Sequence, residues 1–231
     1  MAGMKQTPLH HCANPDLLAL MPAAARVVEA GCSSGALAEA YKQRQPNCRY
    51  LGIEIDPSYG LIAQNHCDHV LVADLDGLCQ LSPPRSLQAD LWVFGDCLEH
   101  LHDPWRVLRW VHQLQPPNGV ICACIPNAQH WSVQGRLSVG AFHYEDAGLL
   151  DRTHLRWFTR ATIQGLFEQA GYTLTTLQAR VMPQAAPEAL LDAIRRMASA
   201  CGGDPDQAEA DAQAFQFVLV AKRKPHRPLA R

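Results

Sequence analysis

Short apolar runs alternate with helical patterns along the first 125 residues. That rhythm is the mark of a parallel sheet wrapped by helices, an α/β architecture. Arg26–Ala30 reads as a first strand and Ser34–Gln43 as the helix after it. Tyr50–Ile55 is a second strand, followed by a helical stretch from Ser58 to Asn65, and Val70–Ala73 is a short third strand. Leu91–Gly95 is apolar throughout, as expected of a strand buried on both faces. Asp103 and Pro104 open a helix as N-cap and first-turn proline, and Val107, Leu108, Val111 and Leu114 form its apolar stripe. Gly119–Ile125 is a fifth strand, closed by Pro126.

The second half loses this rhythm. Residues 126–158 mix Asn, His, Trp, Gly and Arg without a clear period, which predicts a long excursion with room for one short helix. Excursions of this length in a compact domain usually act as lids or binding segments. Thr159 then caps a helix through Ala170 with Gly171 as its stop. Two more strands, Tyr172–Val181 and Ala214–Ala221, complete the sheet. Between them lie an amphipathic helix at Pro187–Cys201 and a shorter one at Asp206–Ala212, and Pro225–Arg231 reads as a frayed basic tail.

Composition narrows the function classes. With 48% hydrophobic and 18% charged residues the chain can bury a substantial core, and a formal charge of −2 argues against a phosphate-tracking nucleic-acid protein. No apolar run approaches membrane-spanning length. Nine cysteines, scattered and odd in number, fit a reducing cytoplasm rather than a disulfide framework. Cys122 and Cys124 share one face of a strand without a second pair, so they read as core sulfur and not as a zinc site. Eleven histidines show no His-x-x-x-His spacing, and no metal is expected.

The chemistry concentrates at strand ends. Val27-Val28-Glu29-Ala30-Gly31-Cys32-Ser33-Ser34-Gly35 puts an acid at the end of the first strand, then a Gly-x-x-x-Gly turn that lets a cofactor approach the backbone. Ser33 replaces the middle glycine of a dinucleotide fingerprint, and no P-loop lysine follows. Glu54 ends the second strand 23 residues beyond Gly31, where a carboxylate can hold both ribose hydroxyls; Asp56 is its rival for that role. Asp74 ends the third strand and Asp96 the fourth. In an open parallel sheet these ends line one crevice, so the acids converge.

This set, with the Asp90–Leu101 block ending Cys97-Leu98-Glu99-His100-Leu101, resembles the class I S-adenosylmethionine-dependent methyltransferases over residues 14–182. The resemblance implies a Rossmann-like, doubly wound seven-stranded sheet of order 3-2-1-4-5-7-6 with its last strand antiparallel. It implies one domain over 1–231: a cofactor-binding core at 14–125, a lid and acceptor segment at 126–158, and a C-terminal part at 159–224 with a helical insertion at 185–212. Gly31, Cys32 and Gly35 would flank the cofactor, with Glu29 near its methionine end. Glu54 and Ile55 would lie at the ribose, Asp74 and Leu75 at the adenine, and Asp96 and Cys97 beside the sulfonium. Glu29 stands where the family usually has aspartate.

The segments Ile125-Pro126-Asn127-Ala128-Gln129-His130-Trp131 and Leu150-Asp151-Arg152-Thr153-His154-Leu155-Arg156-Trp157-Phe158-Thr159 resemble a bacterial subgroup associated with cell-surface glycans. That implies methyl transfer to a small polar acceptor, such as a sugar-linked hydroxyl. His130, and secondarily His154, would be the general base, because histidine titrates near working pH. His100 reads as a helix-start residue beside the cofactor, and His10-His11 as an arm over it or a flexible leader. The elements Gly52-Ile53-Glu54-Ile55-Asp56 and Pro126-Asn127 through His130-Trp131 are also similar to MetW-like methionine-biosynthesis proteins, which opens an alternative: a cofactor-binding partner of another enzyme.

Overall fold

The computed structural model describes residues 7–224. Its strands are β1 (Arg26–Ala30), β2 (Arg49–Glu54), β3 (His69–Val72), β4 (Leu91–Gly95), β5 (Val120–Pro126), β6 (Tyr172–Arg180) and β7 (Gln216–Arg223). They form one sheet of order β3-β2-β1-β4-β5-β7-β6. The first five strands are mutually parallel, and β7 runs antiparallel to both β5 and β6. The expected order and the reversed last strand are both present. The basic tail lies outside the described residues.

The helices are α1 (Pro15–Leu20), α2 (Ala36–Arg44), α3 (Pro57–Ala63), α4 (Leu75–Leu78), α5 (Pro104–Leu114), α6 (Trp131–Ser138), α7 (Arg160–Gln169), α8 (Glu188–Ala200) and α9 (Pro205–Gln213). Side chains alternate across the sheet, so each strand feeds two cores. Along β4, Leu91 and Val93 join α1, α2 and α3 through Leu17, Leu37, Tyr41 and Ala63. Trp92 and Phe94 join α5 and α7 on the other face through Leu108, Val111, Ile163 and Phe167. The continuous apolar run of this strand follows from burial on both faces. Cys122 and Cys124 face the α1 side with no solvent exposure, as core sulfur.

Local chemistry sets the boundaries. Asp103 caps α5 by accepting from the Arg106 N–H at 2.9 Å. Thr159 and Thr162 form a reciprocal capping box at α7. The helix after β1 starts at Ala36 and not at Ser34, because Gly35 holds a left-handed φ of 80° that no helical residue adopts. Strand β7 begins at Gln216 because Ala214 closes α9, its N–H donating to Asp211 O. No helix among the described residues is long and apolar enough to cross a membrane.

The excursion contains α6 and a small core of its own, in which Val133, Leu149 and Leu150 pack with Phe142, Trp157 and Phe215. Asn127, fully buried, anchors its start. The Asn127 amide donates to Asp211 O at 2.7 Å and Ala214 O at 2.8 Å, and its Oδ1 accepts from the Gln129 N–H at 3.0 Å. Both of its amide hydrogens go into joining the excursion to the end of α9.

Candidate active site

The carboxyl ends of β1, β2, β3 and β4 line one crevice, at the point where strand order reverses between β1 and β4. Gly31 turns the chain there at φ 71°, with its N–H bonded to Ile53 O at 2.8 Å. A side chain at Gly31 would meet Cys97, whose Cβ and Sγ lie 3.4 Å from a Cβ built there. The first and fourth strand ends therefore touch across this glycine. Gly52 has a related reason: a Cβ there would overlap Cys32 Sγ.

Glu54 is buried, and both of its oxygens hold the turn. Oε2 accepts from the Ser33 N–H at 2.8 Å, while Oε1 accepts from Ile55 and Asp56 at 2.8 and 2.9 Å. A carboxylate has about four lone-pair sites, so these three donors orient Glu54 and leave it room for a hydroxyl. Asp56 instead caps α3, accepting from Ser58 N–H at 2.7 Å and Tyr59 N–H at 3.3 Å. Ile55 offers exposed apolar surface beside Glu54. Asp74 is exposed and caps α4 through the Asp76 N–H, with Leu75 buried behind it.

Glu29 is placed differently. Its carboxyl is buried under the turn and accepts from the Tyr50 hydroxyl at 2.9 Å, and burial holds its pKa well above the usual carboxylate range. It supports β1 and β2 from beneath.

Asp96 opens to the crevice while protein closes in around it. Its φ of 55° is a strained position for a residue with a side chain, the kind that clusters at functional sites. The Gln216 amide donates to its Oδ1. Desolvation pushes its pKa up to about 6, with the Arg180 charge pulling the other way.

Beyond Asp96 the chain makes a short 3-10 turn, Leu98–His100, and meets the excursion. The Leu155 and Arg156 N–H groups donate to Glu99 O at 2.8 and 2.9 Å. Asp151 accepts from Thr153 N–H at 2.8 Å and Thr153 Oγ1 at 2.6 Å, folding the loop so that Thr153 reaches His100. His100 Nδ1 lies 3.1 Å from Thr153 O and 3.0 Å from Thr153 Oγ1. The His100 and His154 rings meet edge to face, centroids 4.8 Å apart. Burial lowers the pKa of both.

His130 has other neighbours. It caps α6, its Nδ1 is 2.8 Å from Ser132 Oγ, and its ring packs against Trp131 and Phe215. Burial pushes its pKa down to about 4.

A family model described as a methyltransferase domain matches residues 9–177. The chain belongs to that family. It is a class I S-adenosylmethionine-dependent methyltransferase, and S-adenosylmethionine is its cofactor. No curated protein matches the chain. Among solved structures, the methyltransferase is similar to the Haloferax volcanii complex of the Trm112 methyltransferase activator with a putative methyltransferase, at 17% identity and TM-score 0.61, over 93% of this chain and 89% of that one. It is similar to a SAM-dependent methyltransferase from Archaeoglobus fulgidus at 16% identity and TM-score 0.58, over 86% of each. The Burkholderia thailandensis 1,6-didemethyltoxoflavin-N1-methyltransferase, solved with its substrate and S-adenosylhomocysteine, matches at 15% identity and TM-score 0.55, over 91% of this chain and 77% of that one. At these identities the likeness is one of fold.

The residues of the methyltransferase fit its cofactor. Gly31 leaves bare backbone where a side chain would stand, Glu54 keeps an acceptor site, Ile55 presents an apolar surface and Asp74 is open. An N-terminal arm passes over this side. His11 bonds Ser34 Oγ at 2.8 Å and Glu39 at 2.9 Å, the Tyr59 hydroxyl donates to Thr7 O at 3.2 Å, and Thr7 Oγ1 donates to Asp151 at 2.9 Å. The arm thus ties the cofactor-side helices to the excursion.

Sequence reasoning missed three participants: Thr7 in the strap, Gln216 on Asp96, and Glu99 as a buried acid. The pairings Thr7–Asp151 and Gln216–Asp96 join residues 144 and 120 positions apart, and no local pattern marks them. Glu99 carried a signal, as an acid among Cys97, Leu98 and Leu101.

Proposed function

We propose that the enzyme transfers a methyl group to a hydroxyl of a small polar acceptor, with residues 96–100 and 149–157 forming the acceptor side. The observation that supports this reading is the His100–His154 pair, held beside Asp96 and Glu99 by the Asp151–Thr153 loop. The cofactor supplies an electrophilic methyl on a positively charged sulfur. Glu54, Gly31, Ile55 and Asp74 hold it, with Cys32, Gly35, Leu75 and Cys97 around it. The acceptor must be aimed in line and its proton removed. His130 suits that task less than His154 does: its Nδ1 is engaged by Ser132, and a group of pKa about 4 is a weak base. His130 fits better as the pin of α6.

The lid reading of residues 126–158 is supported by the strap through Thr7 and by exposed Leu137, Val139 and Tyr144 on the excursion. Those apolar side chains also favour the second reading, a partner protein. The Haloferax likeness, a methyltransferase held with an activator, gives that reading a precedent in this fold. Nine free cysteines are consistent with a reducing, cytoplasmic setting.

Cell extract incubated with the enzyme and isotopically labelled S-adenosylmethionine tests both. A small hydroxylated molecule one methyl heavier is expected, with turnover falling ~10²-fold or more in His154→Ala at unchanged cofactor affinity. No labelled product, together with stoichiometric co-purification of another enzyme, overturns transfer in favour of the partner reading.

A further inference from the structure

The acceptor side contains a buried acid with nothing to bind. Glu99 is 1% exposed, and neither Oε1 nor Oε2 has a hydrogen-bond partner. An ionised carboxylate left this way is costly, and a protonated one still leaves its O–H without an acceptor. The other buried acids among the described residues are satisfied: Glu29 by Tyr50, Glu54 by three N–H groups, Asp151 by Thr7 and Thr153, Asp211 by Arg160.

The two histidines beside it are oriented. His100 Nδ1 faces Thr153 O and His154 Nδ1 faces Leu149 O, at 3.1 and 3.2 Å. A carbonyl oxygen only accepts, so each Nδ1 carries the proton and each Nε2 carries the lone pair. Fixing a ring nitrogen by a backbone carbonyl, so that the other is presented as a base, is how metal-ligating histidines are held. His100 Nε2 lies 4.0 Å from Glu99 Oε1, and one donor atom from each of Glu99, His100 and His154 falls within 4.8 Å of the others.

We propose that Glu99, His100 and His154 bind a divalent transition-metal ion. Two imidazoles and one carboxylate are a donor set for Mn²⁺, Fe²⁺, Co²⁺ or Zn²⁺ rather than for Mg²⁺ or Ca²⁺, which take oxygen. Bond lengths of ~2.1 Å place donors roughly 3–3.5 Å apart, so the trio draws in by about 1 Å on binding. The three torsions of the Glu99 side chain supply that movement. Three protein ligands leave coordination positions open. Resting on the hydroxyl-acceptor reading above, an acceptor oxygen takes one of them, which lowers its pKa so that its proton passes to water, and His154 then acts as a ligand of the ion in place of a free base.

A second trio, His11, Glu39 and His66, serves as the control. It is largely exposed, and both nitrogens of His11 are already engaged, by Ser34 and Glu39.

The test uses the full chain, stripped with a chelator and titrated with Mn²⁺ while the paramagnetic resonance of the free ion is followed. One site per chain is expected, weakened at least ~30-fold in Glu99→Gln and in His154→Asn and unchanged in His66→Ala. Glu99→Gln keeps shape and removes an unpaired acid, so its fold is retained, and its melting temperature no longer rises with Mn²⁺. Absence of a site in the parent, survival of the site in Glu99→Gln, or its loss in His66→Ala overturns the proposal. S-adenosylhomocysteine affinity and labelled-methyl transfer are measured on the same samples. Mn²⁺ bound as described, with no methylated product from any extract, defeats the acceptor reading and leaves the metal site standing.

Discussion

On the wall we assign to the cofactor, acids are buried with their partners; on the wall we propose for the acceptor, one is buried with none. Glu54 receives three N–H donors from the turns on either side of it, and Glu29 receives the Tyr50 hydroxyl. Glu99 receives nothing, although the backbone around it is fully clamped by Leu155 and Arg156. The cofactor wall is built from the turns after adjacent strands, so its acids are satisfied by the neighbouring strand or turn and the wall is pre-formed. The acceptor wall is assembled from two distant segments whose side chains converge on a space. A wall that satisfies itself positions a ligand, whereas a wall with unspent donors and acceptors waits for one.

The contrast can be broken most severely at Gly31. Gly31→Val forces a branched side chain into φ 71° and against Cys97. Cofactor affinity should fall by ~10³-fold or more, read by calorimetry with S-adenosylhomocysteine, with circular dichroism confirming the fold. Binding within tenfold of the parent would remove Gly31 from the site.

Next in size is an effect of acid on stability. The pKa of His130 falls from 6.5 to about 4 on folding, so below pH 6.5 the unfolded chain takes up a proton that the folded chain refuses. Stability should therefore drop as pH falls from 6.5 towards 4, by at most about 3 kcal/mol from this group. Other buried histidines push the same way, and the difference between the parent and His130→Gln isolates this one. Urea midpoints at pH 7, 5.5 and 4.5 should converge less steeply in the variant. Parallel slopes would show that His130 is free to protonate, and would restore it as a candidate base.

Glu54→Ala should weaken cofactor binding by roughly 1.5–3 kcal/mol, the scale of hydrogen bonds to a charged group, less whatever water recovers. Because Glu54 also orders the turn through Ser33, a matching loss of amide-exchange protection at residues 31–35 is expected. The smallest effect belongs to the strap. Thr7→Ala removes one bond to Asp151 and should speed cofactor release about threefold, on the order of 0.5–1 kcal/mol, in stopped-flow displacement. An unchanged release rate would show that the arm does not gate the crevice.

The placement of the proposed cofactor residues at strand ends was legible because each sits at a fixed offset from a strand. A short apolar run with an acid at or just past its end specifies where the acid lies whatever the rest of the chain does. The same reading picked His130 by its position in the sequence. It stands four residues past β5, near the crevice in sequence, yet α6 turns its ring into the satellite packing of Trp131 and Phe215.

By itself, the sequence determined which segments are strands and helices and placed four carboxylates near strand ends, because apolar runs, glycine turns and helix caps act within a few residues of one another; the order of the strands came from the family resemblance. Tertiary structure alone decided what those acids do. Glu29 became a buried support when Tyr50 reached it from the neighbouring strand. Asp96 gained Gln216 from 120 residues away. His100 met Thr153 and His154 only because Asp151 folds the excursion back onto the turn after β4. Hydrogen-bond partnership and burial depend on distances between segments that no local pattern encodes, and in this protein the acceptor side is made almost entirely of such pairings.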